Sequence, residues 1–336
     1  KSISRQGYLF EDPDFYQLDN GSGAPSVDWH NENESSLFSI FGSVNYNYAN
    51  KYFLTATLRQ DESSKFQGDN KSDIFPSFSA GWLVSAEDFW PTDFFMDRLK
   101  FKASYGELGN QEVPGNPTIN ESGLNEQFAN YAIGGSSIST GAKINTIGNP
   151  NLRWETSKTT NIGAEFGFFE SRLYASLEWY IITTDGLIAQ DFTRLPTTGP
   201  DALAPYVNLG EIENRGIDFA LGFADVTDSG FSYGIDFNLS HYKNEVISLA
   251  SAFQVGDRTD RSGFVTRTEP GRSISEFCGQ KVIGLDDNGR LLYEDLDNNG
   301  IINAEDRQYI GSPHPDFTYG LNLRLGYAGF DLSAFF

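Results

Sequence analysis

The chain has almost no sulfur chemistry to offer: Cys278 is the single cysteine and Met96 the single methionine among 336 residues. One cysteine excludes an intrachain disulfide and leaves the redox compartment unspecified. It reads as a small packed side chain rather than a reactive thiol. Histidine is nearly absent too, and His30, His241 and His314 stand far apart, in no zinc or triad spacing. No nucleophile elbow, phosphate-binding loop or zinc motif occurs, and no carboxylate pair for glycoside hydrolysis can be singled out. Nothing in the sequence points to an enzyme. Basic residues are also few: 24 Lys and Arg against 46 Asp and Glu give a net charge of −22, which argues against nucleic acid as a partner. No run approaches the ~20 apolar residues of a spanning helix, and mean hydropathy is −0.40. That last absence leaves a membrane β-barrel open, because barrel strands show only alternation over about ten residues.

Glycine (34 residues) and aromatics (15%) are plentiful, a profile that suits strands and turns. The clearest unit runs from Thr160 to Ile182. Ile162, Ala164, Phe166 and Phe168 share one face, and after a turn at Glu170-Ser171 so do Leu173, Ala175, Leu177, Trp179 and Ile181. Side chains alternate across a strand, so this predicts a two-faced β-hairpin. The same pattern recurs through Phe38–Tyr48, Tyr52–Leu58, Phe78–Val84, Leu99–Tyr105, Ile217–Phe223, Phe231–Leu239, Phe317–Leu325 and Phe330–Ala334. About ten strands result. Short links join them in pairs, with a compact one at 87–97 in which a short helical turn is expected. Polar stretches near 61–73, 107–157, 183–213 and 246–315 join the rest, and 1–35 reads as a loop.

In an up-and-down antiparallel sheet this alternation puts every short turn at one end and every long loop at the other. Outer-membrane barrels have that asymmetry, with short periplasmic turns and long extracellular loops. Aromatics near the strand ends, Tyr48, Tyr52, Trp82 and Tyr327 among them, suit interfacial girdles. A soluble β-sandwich also alternates, but a solvated sheet face usually carries more Lys and Glu than the Gly, Ser, Asn and Thr found here. The expected fold is therefore all-β, an antiparallel up-and-down transmembrane barrel. With apolar faces on lipid, Arg59, Lys100, Lys102, Glu165, Glu178, Asp218, Asp236 and Arg324 are expected to point into the lumen.

The segment DLDNNGIINAED carries a separate expectation. An EF-hand-type calcium loop needs oxygen ligands at positions 1, 3, 5, 7, 9 and 12 and a turn glycine at 6. Here these are Asp295, Asp297, Asn299, the Ile301 carbonyl, Asn303 (through water) and Asp306, with Gly300 at the turn. Aspartate at position 12 resembles the dockerin variant and should bind more weakly than glutamate. No incoming helix precedes the loop; VIGLDDNGRLLYED reads as a hairpin instead. The role would be to brace the long 246–315 loop on the extracellular side, where an affinity of about 10⁻³ M suffices.

Six stretches resemble the SusC/RagA-type TonB-dependent outer-membrane transporters of the Bacteroidetes. They are FGSVNYNYANKYFLTATLRQDESSKF, FPSFSAGWLVSAEDF, LKFKASYGELGNQ, GNPNLRWETSKTTNIGAEFGFFESRL, NLGEIENRGIDFAL and the closing run from Leu292 to Phe336. The resemblance implies a 22-stranded barrel with an N-terminal plug. It implies import of oligosaccharides or peptides, powered by the TonB complex through an N-terminal segment. A SusD-type surface lipoprotein would cap the mouth. On this analogy residues 1–336 are one partial barrel domain whose sequence contains no plug. A chain that opens on Lys1 and stops at Phe336 inside an alternating run also reads as a piece of a larger protein. Two further readings remain open at this stage: a self-contained surface receptor or adhesin barrel, and a soluble secreted calcium-binding β-sandwich.

Overall fold

The computed structural model describes residues 34–91, 94–124, 131–132, 138–139, 142–191, 202–250, 253–255 and 265–336. Most of the expected N-terminal loop, with Trp29 and His30, and also Phe128, lie outside the described residues.

Ten strands build one sheet: β1 Leu37–Tyr48, β2 Tyr52–Ser63, β3 Ser72–Leu83, β4 Met96–Asn110 and β5 Glu155–Phe168, then β6 Leu173–Asp185, β7 Gly210–Val226, β8 Ser232–Leu249, β9 Thr318–Tyr327 and β10 Phe330–Phe335. Each pairs antiparallel with the next in chain order. The turns show why this register holds. Between β9 and β10, Ala328 (φ 51) and Gly329 (φ 85) form a two-residue loop with both centres left-handed. That is the twist-matched hairpin geometry for which glycine is suited. Between β5 and β6, Phe169, Glu170 and Ser171 have φ of 55, 60 and 60, so this turn begins one residue before the expected Glu170.

The register carries the alternation across the whole sheet. Leu54, Ala80, Ala103 and Ile162 lie in one row, as do Leu177, Phe219 and Leu239 on the following strands. None of these apolar side chains is covered. Ile40, Val44, Leu54, Phe78, Ile162, Ile217 and Leu332 are all exposed, and Leu177 keeps 47% of its surface. A β-sandwich would bury this face against a second sheet, and among the described residues none packs there. Along β6, Leu173 to Ile181 spans about 27 Å at ~3.4 Å per residue. Tilted by ~35–45°, as barrel strands are, it rises about 20 Å and fills most of an apolar band about 25 Å tall. Aromatic rings line its short-turn edge, with Tyr52 stacked on Trp82 at 6.4 Å, Trp82 against Phe101 at 6.5 Å and Phe231 against Tyr327 at 6.3 Å.

The buried core lies elsewhere, at the long-loop end. Phe66, Phe75, Val113, Leu152 and Trp154 form it, with Ile188 and Tyr206 packed alongside. These residues come from the links after β2, β4 and β6 and from the top of β3, so they tie four loop ends together.

Several connections differ from the sequence expectation. The 61–73 stretch shrinks to residues 64–71 because β2 and β3 keep pairing up to Glu62 opposite Ser72; Phe66 enters the core from above that pair and Phe75 from within β3, opposite Arg59. The helical turn lies at Val84–Ala86, ahead of the 87–97 stretch. The 246–315 region is less irregular than its composition suggests. It contains a small sheet of Phe253–Val255, Thr266–Thr268, Glu276–Gln280 and Arg307–Gly311. It also contains a hairpin of Val282–Leu285 with Leu291–Tyr293.

Candidate functional site

Two places among the described residues carry organised polar chemistry: the polar face of the wall and the acidic loop above it. On the wall, Lys102 projects from β4 between two carboxylates. It pairs with Glu165 on β5 at 3.6 Å and bonds Glu178 on β6. Arg98 reaches Glu165 at 3.2 Å, and Asn161 donates to Glu178 at 3.0 Å. Three of the sequence candidates thus meet in one network, and Arg98 and Asn161 join it unannounced. Asn161 sits on the polar side of the alternation, which was the available signal; Arg98 borders the link before β4.

A second pair forms between Asp236 on β8 and Arg324 on β9, 2.6 Å apart, with the Tyr174 hydroxyl also donating to Asp236. Tyr174 reaches across because Gly222 lies opposite it on β7. A β-carbon at Gly222 would sit 2.0 Å from the ring, so only glycine leaves room. Arg59 bonds Asp61 at 2.7 Å and Ser39 at 3.1 Å. Lys100 lies over the Phe53 ring at 5.3 Å, and Asp218 accepts from Ser240. All of the expected inner residues lie on the polar face: Lys100 and Asp218 stand opposite Glu165 and Glu178 in the register beside Lys102, while Asp236 with Arg324, and Arg59, form two further groups.

At the opposite edge, Glu87 in the β3–β4 link accepts from the Tyr52 hydroxyl (2.6 Å), the Trp82 indole (3.0 Å) and Lys51 (3.1 Å). These donors, Tyr52 first, hold its carboxyl down to about 2.

The acidic loop follows the Val282–Tyr293 hairpin. Asp295, Asp297 and Asp306 bring carboxylate oxygens within 4.8 Å of one another. Gly300, at φ +78, makes the turn that folds the chain back on Asp295. The Gly300 amide donates to Asp295 at 2.7 Å and, with the Asn299 amide at 3.3 Å, keeps that carboxyl below its ordinary range. Asp306 is fully buried and accepts from the Leu296 and Asn303 amides at 2.9 and 2.7 Å. Asn303 caps the short Ala304–Asp306 helical turn by accepting from Glu305 at 2.7 Å. The donor set is all oxygen, which fits a hard cation such as calcium. Asp295, Asp297 and Asp306 are the residues positioned to hold it, and Asn303's oxygen is committed to the cap. Tyr206, in the link after β6, packs against the loop core.

An antiparallel wall with an uncovered apolar face, a polar opposite face and loops gathered at one end defines an outer-membrane β-barrel protein. The TonB dependent receptor-like β-barrel family model matches residues 3–334, and the chain belongs to that family. It is 34% identical over 325 residues to TonB-dependent receptor P3 of Formosa agariphila, which covers 90% of this chain and 32% of the relative. It is 27% identical over 311 residues to TonB-dependent receptor SusC of Bacteroides thetaiotaomicron, covering 89% of this chain and 30% of SusC. The fold superposes on a solved structure of the RagAB peptide transporter with a TM-score of 0.79 and 24% identity, over 97% of this chain and 35% of that one. The chain therefore spans about a third of the length of the relatives it matches.

Proposed function

We propose that these residues form the barrel wall of a TonB-dependent importer that takes up oligosaccharides or peptides with a SusD-like surface lipoprotein at its mouth. The observation that carries the reading is the two-faced wall, apolar towards lipid and lined by Lys102, Glu165, Glu178, Asp236 and Arg324 on the other side. The kinship with proteins named SusC and RagAB supports both the TonB-dependent uptake and the lipoprotein partner. The peptide transported by RagAB supports a peptide cargo as well as a glycan one. Deleting the gene should abolish uptake of a labelled oligosaccharide or peptide pool by whole cells, and an uncoupler should do the same in the parent. Uptake unchanged by either treatment overturns the reading.

We also propose that the 295–306 loop binds calcium as a structural brace. The convergence of Asp295, Asp297 and Asp306 within 4.8 Å supports it, since a cation would add to the backbone amides on Asp295 and Asp306 in offsetting the repulsion among three carboxylates. Millimolar calcium should raise the melting temperature of the purified protein, and Asp297→Ala should remove the shift. A melting curve indifferent to calcium and chelator alike rules the brace out.

A further inference from the structure

The connection between β3 and β4 is longer than the short-turn edge requires. The other connections at that edge need only residues 49–51, 169–172, 227–231 and 328–329. This one runs through residues 84–95, and it carries Phe89, Trp90, Phe94 and Phe95. Phe89, Phe94 and Phe95 remain 68%, 40% and 56% exposed. Large rings left exposed in one patch mark a contact surface.

Ring contacts show which way the patch faces. Phe166 and Phe168 belong to the outward row of β5 and stack at 6.4 Å. Phe95 stacks on Phe168 at 5.8 Å, Phe94 meets Phe95 at 4.5 Å, and Trp90 meets Phe94 edge-on at 5.7 Å. The rings thus continue without a break from the lipid-facing wall onto the link. The other end of the link is held to the same side, because Glu87 bonds Tyr52 and Trp82 of the outward face. Backbone bonds fix the rings in place: the Phe169 amide donates to the Phe95 carbonyl at 3.0 Å, and the Trp90 indole to the Met96 carbonyl at 3.2 Å. With its nitrogen satisfied by the backbone, the Trp90 ring can leave water without stranding a polar group.

Continuity and charge narrow what covers the patch. It extends a surface that meets hydrocarbon, at the short-turn edge where the apolar band ends, so lipid reaches it too. The cations beside it are committed: Lys51 to Glu87 and Asp88, both at 3.1 Å, and Arg172 to Asp225 at 3.3 Å. Attraction through anionic headgroups is therefore weak, and burial of the rings just beneath the headgroups is the contact that remains. Tryptophan beside phenylalanines at a membrane–water boundary is the composition such burial favours.

We infer that the β3–β4 link is an in-plane lipid anchor, with Trp90, Phe94 and Phe95 immersed in the periplasmic leaflet at the boundary between headgroups and acyl chains. This rests on the outward orientation of the apolar face, and not on the cargo or the partner of the importer reading.

The test uses the full-length protein reconstituted in phosphatidylcholine vesicles whose acyl chains carry bromine either near the headgroup or at the chain end. Phe95→Trp places a reporter indole on the run of rings, and its emission is read as the difference from the parent protein. Bromine near the headgroup should quench it several-fold more than bromine at the chain end. Iodide on both sides of the membrane should quench it little. Quenching mainly by iodide, or by neither iodide nor bromine, overturns the anchor, since the ring then lies in water or under protein. Strongest quenching from the chain end puts the ring at the midplane and overturns it as well. Leu177→Trp is the reference: if no brominated lipid quenches it, the outward orientation itself fails, and the importer reading with it. Should Phe95→Trp not assemble, Phe94→Trp carries the reporter one ring further along the link, and the same outcomes decide.

Discussion

Glu87 shows how one side chain closes the short-turn edge of the wall. Its carboxylate gathers donors from the β1–β2 turn, from the start of β2 and from the end of β3, so its charge ties a turn and two strands to one link. The folded carboxyl titrates at about 2 against 4.5 for the free group. A depressed value means that the contribution is complete above the unfolded value and is lost as pH falls towards the folded one. The link should therefore stay docked through pH 4 and loosen only as pH approaches 2. Trp82 donates directly to Glu87 and reports on this. The fluorescence difference between the parent and Glu87→Gln should titrate near pH 2; a midpoint near 4.5 contradicts the clamp. Sequence alternation put Tyr52 and Trp82 on one side of the sheet, but it could not show Glu87 folding back on them, because that contact depends on the path of the link.

Among elements, the loops after β2, β4 and β6 behave as one unit because their apolar residues share a core. Trp154 is central, 5.2 Å from the Phe66 ring and 5.6 Å from Phe75. Its indole nitrogen is buried without a hydrogen-bond partner, so the side chain contributes through packing alone. Trp154→Ala should cost about 3–5 kcal/mol of local stability, and Trp154→Phe far less. Hydrogen exchange checks this: the alanine variant should lose protection around 111–119 and 202–209 while β5 and β6 stay protected. Uniform loss across the wall strands counts against a separate loop unit. The wall strands were legible because each repeats a period-two code over ten or more residues, as in Leu173 to Ile181. The loop core was not, because Phe66, Trp154 and Ile188 lie far apart in sequence and share no period. The convergence of the carboxylates and the turn glycine in the acidic 295–306 loop was legible from spacing, whereas the commitment of Asn303 to a cap required the fold around it.

For the whole molecule, the decisive question is which side of the sheet meets hydrocarbon, and adjacent residues of β6 put it directly. Leu177 lies at the middle of the Leu173–Ile181 apolar run, exposed and paired with Ala164 and Phe219 in the same outward row. Ser176, one residue earlier, points to the opposite side with Glu165 and Ala220 as neighbours. Near the bilayer midplane an arginine facing lipid costs about 2–4 kcal/mol, while one facing a watery interior beside a carboxylate is tolerated. Leu177→Arg in the full-length protein should therefore lower the folded fraction in a urea titration into lipid vesicles by that amount. Ser176→Arg, with Glu165 across the strand pair, should move it by less than about 1 kcal/mol. A soluble protein with a hydrated Leu177 would respond little to either change. The reverse order, with Ser176→Arg the costlier, would place lipid on the Glu165 and Glu178 side and overturn the orientation on which the importer reading depends.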